Sequence, residues 1–175
     1  MRTAEPSSPV VAASDEPFDW RRFIKLLAIA AVVLFGVQRL VVSSGYGLAL
    51  AMSPSMDTAV YWVTPSSGAP EVGDLVTFEV PPNGVWSGRV VKRVIAVEGD
   101  PIEIREGRAV VNGVDIGPVH STTSKGASIT PQRAEVVPPM HIFVAGTHER
   151  SFDSRYLEFG TVNWGRVEGR AKELF

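Results

Sequence analysis

Apolar positions follow three different rules along this chain. Residues 1–20 are rich in Pro, Ser, Ala and acids and show no apolar period, which predicts a disordered tail. Phe23 to Val42 is a nearly unbroken apolar run, close to the ~20 residues that a helix needs to cross a bilayer. From Tyr46 onward the apolar runs shorten to strand length: GLALAM, VYWV, DLVTFEV and GRVVKRVIAV, separated by Gly, Pro and Asn. Val110-Val111 runs into Asn112-Gly113, a hairpin-turn signal. Residues 115–135 are polar and rich in Ser, Thr and Gly, which predicts an exposed loop. HIFVAG and TVNWGRVEGRA return to strand character. There is no internal repeat and no long amphipathic helix in this part. The pattern predicts a mainly β protein, a compact antiparallel β-barrel or sandwich with one N-terminal transmembrane helix. The expected divisions are a cytoplasmic tail (1–20), an anchor (21–42) and an extracytoplasmic β domain (43–175).

The charges around the apolar run set its expected topology. Lys25 and Arg39 interrupt it near its two ends, roughly 21 Å apart along a helix, so each can snorkel to its own interface. Arg21, Arg22 and Lys25 crowd the N-terminal flank, which puts the N-terminus in the cytoplasm. A cleavable signal peptide is the competing reading. Leu26–Val37 would be its apolar core and Ala49-Leu50-Ala51 its cleavage site. That site lies too far beyond the core, so the segment is read as an uncleaved anchor. Arg21-Arg22-Phe23-Ile24-Lys25 echoes a twin-arginine signal but lacks the usual spacer.

Composition narrows the chemistry. At 175 residues the chain has room for one domain. A formal net charge of -2 offers no basic patch, so nucleic acid is not expected as a partner. With no Cys and no metal-ligand spacing among His120, His141 and His148, no disulfide, metal or other cofactor is expected.

Two short segments can carry catalysis. Ser53-Pro54-Ser55-Met56 follows the apolar run, and Lys92 lies further along in RVVKRVIAVEGD. A serine hydroxyl attacks only when a neighbouring base takes its proton. Free lysine titrates near ~10.4, and burial in an apolar pocket can bring it to about 7–8. In a strand, Lys92 shares a face with Val90, Val94 and Ala96, while Arg93 points the other way with Val91, Ile95 and Val97. Read alone, Lys92-Arg93 is equally an exposed pair at a sheet edge. SPSM alone is equally a polar turn. The Ser-x-Ser spacing suggests that one serine attacks while the other donates to the developing oxyanion beside a backbone N–H.

SPSM, KRVIAVEGD, VVPPMHIFVAG and SFDSRY resemble, in this order, the sequence boxes of the type I signal peptidases, membrane-anchored Ser/Lys proteases. The resemblance runs through most of residues 46–160. It implies Ser55 as nucleophile, Lys92 as general base and Ser53 as the oxyanion-hole hydroxyl. Ser151 matches the serine that orients the lysine, Asp153 and Arg155 match a charged pair bracing the site, and Met56 is a substrate contact. It also implies an extended substrate lying between the strand before Ser53 and the strand carrying Lys92, with small residues selected at substrate positions -1 and -3.

The sequence departs from that pattern at Thr58, at Met140 and in Gly146-Thr147-His148-Glu149. Short length, Val60-Tyr61-Trp62 and SFDSRYLEFG resemble the conjugative-transfer (TraF-type) branch, which matures pilin and in some members joins its ends. The expectation is therefore a serine endopeptidase of the inner membrane, single-pass and monomeric, with its catalytic domain in the periplasm. Its substrate would be a signal-peptide-bearing preprotein or a propilin, and ligase or cyclase activity stays open. Competing readings are a non-catalytic envelope assembly factor that binds extended peptides and a self-cleaving regulator. A Ser-His mechanism through His148 is a further alternative. Trp62, Trp86 and Trp164 are expected in the core, in turns or at the membrane interface.

Overall fold

The structure, a computed structural model, describes residues 19–50, 56, 60–66 and 68–174. The expected tail falls almost entirely outside these residues, and so do Ser53 and Ser55.

Helix α1 spans Trp20–Ser43. Asp19 caps it: its carboxylate accepts from the backbone N–H groups of Arg21 and Arg22, both at 3.1 Å, satisfying two donors that have no partner within the helix. At the other end Ser44 N–H donates to the Leu40 carbonyl at 3.0 Å. Trp20–Leu40 is long and apolar enough to cross a membrane, and its side chains are exposed throughout.

The remainder is a mainly antiparallel β unit. Its strands are β1 (Gly47–Leu50), β2 (Val60–Pro65), β3 (Leu75–Val80), β4 (Gly88–Val97), β5 (Ile102–Arg105), β6 (Arg108–Val111), β7 (Val114–Pro118), β8 (His141–Ala145), β9 (Val162–Asn163) and β10 (Gly169–Glu173). Seven of them form one sheet in the order β1-β2-β10-β3-β4-β8-β9, and β5-β6-β7 form a second sheet. Among the described residues the larger sheet does not close into a barrel, because β1 and β9 are left as its two edges.

The C-terminal strand slots between β2 and β3, with Gly169 opposite Pro65 on one side and Thr77 on the other. A Cβ at Gly169 would stand 2.6 Å from Val63 Cγ1 and 2.7 Å from the Thr64 carbonyl oxygen. Only glycine lets the three strands approach this closely.

Three apolar clusters hold the unit together. Val76, Phe78, Val80, Val94, Ile142 and Val144 fill one. Ile102, Val111, Val137 and Phe143 fill a second, under the β5-β6-β7 sheet. Met56, Tyr61 and Leu75 make a third.

A bulge in β4 divides the first two clusters. The register against β8 slips between Val94 and Ala96, so Val94 packs in the first cluster and Ala96 in the second. The simple alternation that groups Ala96 with Lys92 therefore fails beyond Val94, because a bulge adds a residue and turns the following side chains.

Residues 115–135 are also not a plain loop. Their start belongs to β7, and the rest folds into a turn with bridges at Thr122–Ser128 and Pro131–Tyr156. Backbone polar groups in a run this polar find partners within the run itself: Thr123 N–H donates to the Ala127 carbonyl at 2.8 Å, and Thr123 Oγ1 accepts from Ala127 N–H at 3.1 Å. A strand-turn-strand unit at residues 102–111 also went unread. Its turn is Glu106-Gly107, both at positive φ, a weaker signal than the Asn112-Gly113 turn that follows it.

Candidate active site

Lys92 lies in the middle of β4, opposite Val76 of β3. Its neighbours on that face are the apolar residues of the first cluster, and it is only 2% exposed. The reading of Lys92-Arg93 as an exposed edge pair therefore does not hold. Arg93, on the other face, is the half-exposed member and reaches Glu173 at 3.1 Å.

Among the described residues the Lys92 ammonium has one side-chain partner, Ser151 Oγ, to which Nζ donates at 2.6 Å. Burial lowers the lysine from 10.5 to about 8, because an ammonium loses its hydration inside the protein; the nearby Asp153 carboxylate pulls the other way, and Arg155 adds to the lowering.

Asp153 and Arg155 do not lie on a strand. They sit in the turn segment after β8 and form a fully buried bidentate pair, with Arg155 Nε on Asp153 Oδ1 at 2.8 Å and Nη2 on Oδ2 at 2.9 Å. The guanidinium uses its remaining donors on backbone carbonyls: Ser151 at 3.1 Å, Glu149 at 3.0 Å and Pro118 at 3.1 Å. Burial works against its charge, but the bond to Asp153 more than offsets this and raises the guanidinium above its ordinary value. Asp153 in turn accepts from Gly146 N–H at 3.0 Å, which ties the segment to the end of β8. The pair thus fixes the backbone on both sides of Ser151, and Ser151 fixes the lysine. One buried network joins Lys92, Ser151, Asp153 and Arg155.

Ser53 and Ser55 lie outside the described residues. Met56 is described. It is buried against Tyr61 and Leu75, in a cluster that also takes in Val91, the residue before Lys92. His148 is exposed, and its Nδ1 accepts from Arg150 N–H at 3.1 Å. His141 Nδ1 is within 2.8 Å of the Pro139 carbonyl, and His120 is half-buried. Among the described residues no group of His, Asp or Glu could hold a metal ion.

Two cavities flank β4. One, of about 500 Å³, is bordered by Gly45–Ala49 on one side and by Thr77, Arg89 and Glu168 on the other. The other, of about 400 Å³, has Lys92 and Ser151 in its wall, together with Val90, Trp86, Phe152 and Phe159. Trp86 lies in the turn between β3 and β4, its backbone N–H donating to Asn83 Oδ1, and lines this second cavity over Gly88, where a Cβ would stand 3.2 Å from the indole. Trp62 is surface-exposed beside Tyr46 on the β1-β2 edge, and Trp164 packs partly buried against the first cluster.

The comparison with known proteins gives the class. Residues 20–175 match the family described as signal peptidase, peptidase S26, and the chain belongs to that family. Among its relatives are two proteins named conjugal transfer protein TraF. The one from Agrobacterium fabrum (strain C58 / ATCC 33970) is 29% identical over 89% of this chain and 96% of its own length. The one from Agrobacterium tumefaciens (strain 15955) is 30% identical over the same shares. The thylakoidal processing peptidase 1 of Arabidopsis thaliana is 32% identical over 55% of this chain and 28% of its own length. A crystal structure of a signal peptidase I from Enterococcus faecalis V583 is 30% identical and covers 60% of this chain and 98% of that one, with a TM-score of 0.39.

Proposed function

We propose that this protein is a serine endopeptidase anchored by its N-terminal helix, with Ser55 and Lys92 as the catalytic pair. The observation that carries this reading is the buried Lys92. A structural lysine has little reason to sit beside an apolar cluster with, among the described residues, a serine as its side-chain partner. A general base has every reason to, since burial frees its lone pair near neutral pH. With the ammonium at about 8, about one molecule in ten holds a neutral amine at pH 7.

In this mechanism Ser55 Oγ attacks the substrate carbonyl carbon while Lys92 Nζ takes its proton. The Ser53 hydroxyl and a backbone N–H stabilise the oxyanion. Lys92 then gives its proton to the leaving amine, and water releases the acyl group by the same route in reverse. Ser151 keeps Nζ aimed, and the Asp153–Arg155 pair keeps Ser151 in place. Met56, the residue after Ser55 in the chain, is buried in the cluster against which Val91 packs.

Two unpaired edges support binding of an extended substrate. Among the described residues β1 is an edge strand, and β4 pairs with β8 only from Arg93 onward, so residues 88–92 have no strand partner on that side. The 500 Å³ cavity lies between these stretches. A peptide entering there would gain backbone hydrogen bonds on both sides.

The substrate is proposed as a preprotein or propilin of a conjugation system, following the TraF name of the relatives. The helix would sit in the inner membrane with the β unit in the periplasm. The decisive experiment is cleavage of such a substrate in membranes by wild-type, Lys92→Ala and Ser55→Ala protein. Full cleavage by Lys92→Ala rules out the Ser/Lys pair, whose loss should cost several orders of magnitude. Unchanged function of Ser55→Ala in cells would instead favour a peptide-binding assembly factor.

A further inference from the structure

The 400 Å³ cavity beside Lys92 has an uneven lining. Its floor is apolar and aromatic: Val85, Trp86, Val90, Phe152 and Phe159. The rings hold one another, Phe152 meeting Phe159 edge-on at 5.4 Å and stacking on Tyr156 at 6.0 Å. Its rim carries Lys125, His148 and Arg150, and among the described residues no carboxylate lines it. Lys125 and Arg150 are exposed, and among the described residues neither takes part in an ion pair. On this unit's surface Arg89, Arg93, Arg105, Arg108 and Arg170 each have an acidic partner, whereas among the described residues Arg133 and Arg166, like Arg150, take part in no ion pair.

Both cationic edges are built on ordered backbone. Lys125 stands at the tip of the Thr123–Ala127 turn, closed by Thr123 N–H on the Ala127 carbonyl at 2.8 Å and Gly126 N–H on the Thr123 carbonyl at 3.0 Å. Arg150 and His148 sit in the turn whose carbonyls the buried Arg155 holds, with Ser151 N–H donating to the His148 carbonyl at 2.9 Å. This is the stretch where the sequence departs from the signal peptidase pattern. The departure therefore lies at the mouth of a cavity whose wall contains Lys92.

We infer that this cavity is a specificity pocket for an acidic substrate residue next to the scissile bond, its chain packed on the aromatic floor and its carboxylate between Lys125 and Arg150. The inference rests on the peptidase reading, since it takes Lys92 as the marker of where the bond is cut. Opposite charge at a partly solvated rim favours the matching substrate and disfavours the basic one.

The test uses the full-length protein in detergent micelles and a peptide library made by digesting a bacterial proteome, with cut sites read by mass spectrometry. Wild-type protein should favour Asp or Glu at one position within three residues of the cut by about fivefold over Gln or Asn, as expected for exposed charge pairs. The preference should fade at ~1 M salt, where screening reaches about 3 Å. The Lys125→Glu/Arg150→Glu protein should lose the preference and turn towards Lys or Arg, while Lys125→Arg retains it. Both replacements lie at exposed positions, and a melting curve matching wild type reports an intact fold. Cutting that depends on Lys92 but shows no acidic preference overturns the pocket alone. A library left uncut, or cut equally by Lys92→Ala protein, overturns the peptidase reading and the pocket with it.

Discussion

Replacing Lys92 with methionine should make this protein inactive and more stable at the same time. The side chains are similar in length, so the apolar cluster around Val76 and Val94 stays filled. What disappears is a buried ammonium. Its pKa falls from 10.5 to about 8, and at about 1.36 kcal/mol per unit this difference of roughly 2.5 units costs the folded state about 3 kcal/mol. Losing the Lys92–Ser151 hydrogen bond returns about 1 kcal/mol of that. The net gain is about 2 kcal/mol, or roughly 4–8 °C in melting temperature for a unit of this size.

The sign has a pH signature. Between about 8 and 10.5 the unfolded chain binds a proton that the folded chain does not, so wild-type stability rises with pH across that window. The advantage of Lys92→Met is full at pH 8 and below and closes as pH approaches 10.5. Thermal melts followed by tryptophan fluorescence at pH 7, 8.5 and 10 measure it. A variant less stable than wild type at pH 7, or an advantage that does not change with pH, would refute the idea that burial of this amine is what lowers its proton affinity.

The same lysine should shape activity: kcat/KM for a peptide substrate should rise about tenfold from pH 7 to pH 9 and level off above about 8; a midpoint near 6.5 would point to a histidine base instead. Asp153→Leu should cost about 3–5 kcal/mol in urea denaturation, because it leaves the Arg155 guanidinium buried and unpaired. Adding Arg155→Met should recover part of that loss, and a purely additive loss would argue against a coupled pair. Ser151→Ala should reduce kcat by tenfold or more while changing stability by only about 1 kcal/mol; steady-state kinetics beside a melting curve separate the two effects. Gly169→Ala should destabilise by about 1–3 kcal/mol through crowding between β2, β10 and β3, and a melting curve matching wild type would contradict that packing.

Much of the fold was legible because burial imposes a period on sequence. The apolar run that becomes α1 could hide in few other ways, and Val76 to Val80 of LVTFEV alternates apolar and polar residues as a strand does. Asn112-Gly113 announced its hairpin through backbone preference alone. The bulge at Val94–Ala96 was not legible, since nothing local distinguishes a strand that slips register from one that does not. The order of strands in the larger sheet was also out of reach. β10 pairs with residues about a hundred positions away, and only the close approach at Gly169 explains why a glycine stands there.

The same division runs through the candidate site. The resemblance of the ordered sequence boxes singled out Lys92, Ser151, Asp153 and Arg155, and a buried base with an orienting partner gives that match its chemical sense. Yet Lys92 read alone looked as much like a surface charge. Whether a charge is buried depends on segments far apart in sequence, here β3, β4 and the turn after β8, closing over it together. Desolvation acts through that enclosure, and so does the cationic rim set over an aromatic floor. Chemistry along the chain named the groups, and the tertiary structure decided which of them water can reach.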